Sequence, residues 1–117
     1  MKYLFLLIIF FLCTEVKGQV QVSSDSKETV IIDNERMKVV EFVSMPQGDV
    51  CGAGMHHHEP HLTVVLSDAK VQITSDNGES QSVEVPVGTS MWFESETHSV
   101  VNTGENPTKM ILVFLKK

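Results

Sequence analysis

Five histidines hold most of the chemistry this sequence could perform. Four of them, His56, His57, His58 and His61, fall within one short stretch, and the fifth, His98, lies far downstream. Imidazole nitrogen is a good ligand for zinc, iron, nickel and copper, and three or four imidazoles converging on one point make a closed or nearly closed ligand shell. Residues two apart in a strand face the same way, so His56 and His58 can point together while His57 points away. His61 is out of phase for a straight strand. Pro60 cannot donate to a sheet ladder and commonly marks a bulge or bend, and a kink at Glu59-Pro60 returns His61 to the inner face. His98 alternates with Val100 and Asn102 on one face. The candidate metal ligands are therefore His56, His58, His61 and His98. A histidine run can also be a surface tract that binds metal incidentally, and spacing alone leaves that alternative open.

The elements that must position these residues read as strands. From Thr29 on, the sequence shows period-two alternation or short apolar runs, β-branched residues and frequent turn signals. Strands are expected over residues 29–32, 36–45, 62–67, 69–74, 81–85, 90–93, 98–102 and 109–115. Turns are expected at Asp33-Asn34-Glu35, Pro46-Gln47-Gly48-Asp49, Asp76-Asn77-Gly78 and Pro86-Val87-Gly88. The Asn-Gly pair tolerates positive φ and is a strong hairpin signal. The segment Met110 to Leu115 (MILVFL) is apolar on both faces, so protein is expected on both sides of it. No convincing helix and no repeat of useful length is present. Many short strands at close spacing imply an all-β antiparallel barrel or double-sheet jelly roll, an arrangement that also removes exposed strand edges.

The first residues are of another kind. Leu4 to Leu12 is an unbroken apolar run behind Lys2. It is too short to span a bilayer, which needs roughly 20 residues. One positive charge, a short apolar core and small residues near Gly18 describe a signal peptide over residues 1–18, cleaved before Gln19. A membrane-anchored N-terminus is the alternative. Residues 19–28 form a polar, Ser-rich tether or loose edge strand, and residues 29–117 form the barrel domain. Without Lys2, Lys17 and Glu15 the formal charge falls from −6 to −7. So acidic a chain lacks the basic face that phosphate neutralisation requires, which excludes a nucleic-acid partner. After leader removal, nothing calls for a membrane partner. The expected location is secreted or periplasmic. Cys13 leaves with the leader, so two cysteines become one.

That remaining thiol, Cys51, could be a ligand, a nucleophile or an intermolecular disulfide partner; a small buried residue in a Gly-rich turn is the preferred reading. Met55 and Met91 could be soft copper ligands but suit core filling better. Trp92 and Phe93 are placed at the barrel mouth, one of them as core. Glu94 and Glu96 include a candidate general base, with a solvated loop preferred. Asn102 either orients a ligand histidine or braces a turn. No nucleophile elbow, phosphate loop or dinucleotide fingerprint is present.

The spacing HxHxxH, the apolar strand after it, the Asn-Gly hairpin, the Pro-Val-Gly turn and His98-Ser99-Val100-Val101-Asn102 together resemble a small single-domain cupin over residues 37–115. His56 and His58 match the family's HxH, and His98 with Asn102 matches its His-x-x-x-Asn. His61 stands about where the family has a glutamate, which implies a four-His variant of the metal set. Asp68 takes the place of the glycine that closes the first motif, and Phe93 and Ser95 fall where the second has Pro-x-Gly. The resemblance implies a divalent metal (Fe, Mn, Ni, Zn or Cu), a homodimer, and a small-molecule ligand or substrate. It implies a metal-dependent enzyme of dioxygenase, isomerase, epimerase or lyase type acting on a small polar organic molecule. A non-catalytic ligand- or metal-binding module is the alternative.

Overall fold

The computed structural model describes residues 26–117. The expected signal peptide and most of the tether lie outside them. Nine strands are described: β1 Ser26–Asp33, β2 Met37–Ser44, β3 His56–His58, β4 His61–Val65, β5 Ala69–Ser75, β6 Ser80–Val85, β7 Ser90–Phe93, β8 Glu96–Asn102 and β9 Thr108–Leu115. No helix occurs among the described residues, and so none that could cross a membrane. The strands form two antiparallel sheets in the orders β1-β2-β9-β4-β7 and β3-β8-β5-β6. This is the double-sheet arrangement expected from the alternation.

The turns are built by the residues that signalled them. Asn34 accepts hydrogen bonds at its side-chain oxygen from the amides of Arg36 (2.8 Å) and Met37 (2.9 Å), closing the β1–β2 hairpin. Gly78, at φ +89°, turns the chain between β5 and β6. Asp68 accepts the Val87 amide at 2.8 Å and so pins the Pro86-Val87-Gly88 turn. β1 begins at Ser26, inside the polar stretch assigned to a tether, and pairs along β2 with a bulge between Val30 and Ile32.

The inward residues of the two sheets make one core. Val40 and Phe42 of β2, Val65 of β4 and Met110 and Leu112 of β9 face Ala69 and Val71 of β5 and Val100 of β8. β9 runs between β2 and β4, so its ladder is paired on both edges. Its second apolar row is only half covered: Ile111 and Val113 are half-buried, and Leu115 is exposed.

The sheet crossing that matters for the site occurs at Glu59-Pro60. β3 belongs to the four-stranded sheet and β4 to the five-stranded one. The bend expected at Pro60 is thus a change of sheet. His56 and His58 arrive from one wall and His61 from the other.

Candidate metal centre

The site begins with β8. The segment 47–50 runs along its far half: Gln47 N donates to Asn102 O (2.8 Å) and Val50 N to Val100 O (2.8 Å). β3 then takes the near half, with His56 opposite His98 and His58 opposite Glu96. Residues 51–55 (CGAGM) loop out between these two stretches. Their first residue, Cys51, sits in the left-handed region at φ +57° and is buried. That conformation is uncommon for a residue with a side chain and costs roughly 1–2 kcal/mol. It places the thiol beside the rings of His56 and His98.

The donors converge. Cys51 Sγ lies 3.4 Å from His56 Nε2 and 3.7 Å from His98 Nε2. One donor atom from each of Cys51, His56, His58 and His98 falls within 4.8 Å of the others. Ring centroids are 4.6 Å apart for His56 and His58 and 4.9 Å for His56 and His98. The strand argument for His56, His58 and His98 corresponds to this arrangement. His57 points away as expected, its Nδ1 2.9 Å from Thr97 Oγ1 and its Nε2 3.4 Å from Glu59 on the surface.

His61 is not among the four converging donors. It is buried on the opposite sheet, its ring 5.0 Å from that of His58, and it stacks on Phe93 at 5.5 Å. Cys51 occupies the place among the donors that the four-His reading gave to His61. The sequence offered a weak signal for it: a lone cysteine opening a Gly-Ala-Gly loop five residues before the first ligand histidine. Its positive φ has no signature in residue type, since that conformation is a glycine's by habit.

Second contacts orient the rings. His56 Nδ1 donates to Gly54 O (2.9 Å), which leaves Nε2 as the lone-pair nitrogen facing Cys51. His61 Nδ1 donates to Glu59 O (2.8 Å) in the same way. Such bonds fix the tautomer of a ligand imidazole and its aim. His98 Nδ1 lies 3.5 Å from Glu96 Oε1, a loose contact that leaves this oxygen buried without a protein hydrogen-bond partner. His58 Nε2 is likewise buried and unpartnered.

Burial also sets the charge state. His58 and His98 are held down to about 4, first by burial and then by the neighbouring His56 ring, so both stay neutral at ordinary pH. Cys51 is pushed up to about 12 by burial, with Glu96 and Asp49 adding to it. Burial raises the Glu96 carboxyl above its ordinary value. Three imidazoles and one soft thiol with donor atoms within 4.8 Å of one another, His58 Nε2 among them buried and unpartnered, fit a transition-metal ion, and His58 and His98 are already in the neutral form that binds one.

Two cavities share Cys51 and divide the other donors between them. One, of about 280 Å³, lies between the sheets and is lined by Cys51, His61, Glu96 and His98 together with the core side chains of β4 to β9. The other, about 410 Å³, is an open groove on the surface lined by Cys51, His56, His58 and Phe114. The site is therefore reachable from outside.

No protein-family model matches the sequence, and neither does any curated protein. Solved structures do. A cupin domain from Bordetella pertussis Tohama I is 26% identical, with a TM-score of 0.71, over 79% of this chain and 94% of that one. An RmlC-like cupin with a double-stranded β-helix fold from Methanocaldococcus jannaschii is 8% identical, with a TM-score of 0.61, over 82% and 84%. The chain has the cupin fold. The polyketide cyclase RemF from Streptomyces resistomycificus shares it at a TM-score of 0.61 and 22% identity, over 79% of this chain and 66% of that one.

Within this fold the other candidates separate clearly. Asn102, fully buried, donates to Ser44 O (3.2 Å) and Asn106 O (2.9 Å) and accepts from Gly104 N (2.9 Å), so it braces a turn and touches no histidine. Phe93 and Met91 line the inner cavity. Trp92 is outside, 51% exposed, and bonds Glu94. Met55 is exposed on the loop and fills no core.

Proposed function

We propose that this cupin holds one divalent transition metal on Cys51, His56, His58 and His98 and acts as a metal-dependent enzyme on a small organic molecule bound in the inner cavity. The observation that supports it is the convergence of the four donors, two of which, Cys51 and His98, line that cavity. A bound ion would supply a Lewis-acidic centre that polarises an oxygen of the ligand. The chain's own groups supply the rest. Glu96, which lines the cavity and lies 3.5 Å from His98 Nδ1, is the carboxyl placed to hold or pass a proton there. His61 and Phe93 close one side of the chamber. With one sulfur, three nitrogens and no carboxylate in the set, zinc, iron, copper and nickel suit it better than manganese, which prefers oxygen ligands. The resemblance points to dioxygenase, isomerase or lyase chemistry.

A non-catalytic module is the second reading, and one observation favours it. Four protein donors fill a tetrahedral shell, as in structural sites, whereas catalytic sites keep a position open. Cobalt substitution separates the two. An enzyme should show a visible spectrum that shifts on adding azide, which needs an open position; a closed structural site should not respond. Either reading requires a sulfur-to-cobalt charge-transfer band that disappears in Cys51→Ser.

Export and self-association belong to the same proposal. The apolar leader supports a secreted or periplasmic protein, and N-terminal sequencing of the processed protein should begin at Gln19. β1 is an edge strand with Val30, Ile31 and Ile32 all more than 40% exposed, and natural proteins seldom leave such an edge uncovered. This supports a homodimer, to be checked by light scattering after gel filtration.

A further inference from the structure

The two ends of the chamber between the sheets differ in kind. Its donor end lies at β8, where Cys51, Glu96 and His98 enter the lining, and His61 joins them from β4. Its far end lies at β5 and β6. In the order β3-β8-β5-β6, β6 is the edge opposite β3, and two strand spacings, roughly 10 Å, separate it from β8. The far wall is Val71 and Ile73 of β5 with Val83 and Val85 of β6, Val71 standing opposite Val83 in the ladder. Met91 and Met110 line the chamber from the other sheet.

This lining limits the occupant. It contains no Lys or Arg, so the chain itself offers no cation to an anionic head. Thr63 supplies its one hydroxyl, and the β5–β6 wall supplies no polar side chain. A polyol carries a hydroxyl on every carbon, and along that wall each would give up its bonds to water without a replacement, which is costly. Water meets the same difficulty, since a buried molecule needs about two to four polar partners. Apolar carbon meets neither cost and gains by leaving water. The volume sets the size. At about 280 Å³ the chamber is roughly twice the ~150 Å³ apolar cavity that holds benzene, which allows about ten to twelve non-hydrogen atoms.

We propose that the chamber takes a largely hydrocarbon molecule of about that size, alkyl-aromatic or cyclic in outline. Its apolar body lies against the valines of β5 and β6, and the end that reacts is turned toward Cys51 and His98. This inference rests on the reading of the cavity as the ligand site and names the class of ligand; it departs from the small polar substrate that the family resemblance implies.

The test is a titration of the full chain, metal-loaded and chelated, with butylbenzene and with xylitol, a polyol of the same atom count, followed by the methyl signals of the valines, isoleucines and methionines. Metal content is measured on each sample. Expected is saturable binding of one butylbenzene per chain that shifts the methyls of Ile73, Val83, Met91 and Met110 and leaves those of the exposed Ile31 and Leu115 in place, with no response to xylitol. Val83→Phe and Ile73→Phe each fill the far end, and both should weaken butylbenzene at least about tenfold while the metal content and β-sheet spectrum stay at wild type. Should either variant fail to fold, the pattern of methyl shifts in the wild-type protein decides. Xylitol binding as tight as butylbenzene, no saturable binding of butylbenzene, shifts confined to the outer methyls, or full affinity in both folded filling variants would each overturn the proposal. Butylbenzene bound in the chamber of a protein that holds no metal would support the ligand class and remove the metal reading, whereas metal held at one per chain without butylbenzene binding would do the reverse.

Discussion

Alanine at position 52 is a sharp probe of the donor cluster because the change is one methyl group. A Cβ built on Gly52 would lie 2.9 Å from His56 Cγ, 3.0 Å from Nδ1 and 3.1 Å from Cδ2. Carbon–carbon contacts settle near 3.5–4.0 Å, so the ring must retreat by roughly 0.5–1 Å. The retreat is opposed: Nδ1 is tied to Gly54 O at 2.9 Å, and the rings of His58 and His98 stand 4.6 and 4.9 Å away. The backbone adds its own cost, since φ of +150° suits glycine and strain of this kind costs about 1–3 kcal/mol. Misplacing one ligand ring should weaken metal binding about 10–100-fold, or about 1.4–2.8 kcal/mol. Chelator competition measures the affinity, and thermal melts of metal-free and loaded protein measure the strain. Expected for Gly52→Ala are a lower melting temperature without metal and a weaker affinity besides. His57→Ala, on the outward ring, should leave affinity within about twofold of wild type, as surface changes usually do. Wild-type metal affinity in a folded Gly52→Ala protein would refute the assignment of His56 Nε2 as a donor.

Three further outcomes follow. His58 and His98 titrate near 4 in the fold and near 6.5 when unfolded, so the unfolded chain binds more protons between those values. Metal-free protein should therefore lose stability as pH falls from about 6.5 to 4 and show no contribution from these rings above 7; a urea midpoint that is flat across that window would contradict it. Asn102→Ala leaves the Gly104 amide and two carbonyls without their partner, so it should cost about 2–3 kcal/mol in urea unfolding while metal content stays at wild type. His98→Ala should lower metal content and melting temperature together, and His61→Ala should keep the metal, as elemental analysis of the two would show.

Much of the fold was legible because its signals are local. Alternation marked β5 and β6, Asn-Gly marked their hairpin, and residues 90–93 were read with the bounds of β7. The pair His56 and His58 followed from strand geometry alone. Pro60 announced a change of direction, but its meaning depends on β4 pairing with β7 and β9, and no local pattern records a non-local pairing. Cys51 was visible as a possible ligand but read better as a buried turn residue, for a related reason: its place beside the rings rests on a left-handed backbone that most residue types avoid. The cavity was illegible too, because its walls come from the inner faces of six strands scattered along the chain. Met55 and Met91 have the same composition value in a sequence, yet one is exposed and the other lines the chamber.

The central claim is a single metal held by one sulfur and three nitrogens. X-ray absorption at the edge of the bound metal, on protein purified without a tag, tests it most directly. The account predicts one transition-metal ion per chain whose nearest neighbours fit one sulfur near 2.3 Å and three imidazole nitrogens near 2.0–2.1 Å, if zinc is the ion. A shell of nitrogen and oxygen with no sulfur, unchanged in Cys51→Ser, would contradict it and return the fourth position to His61.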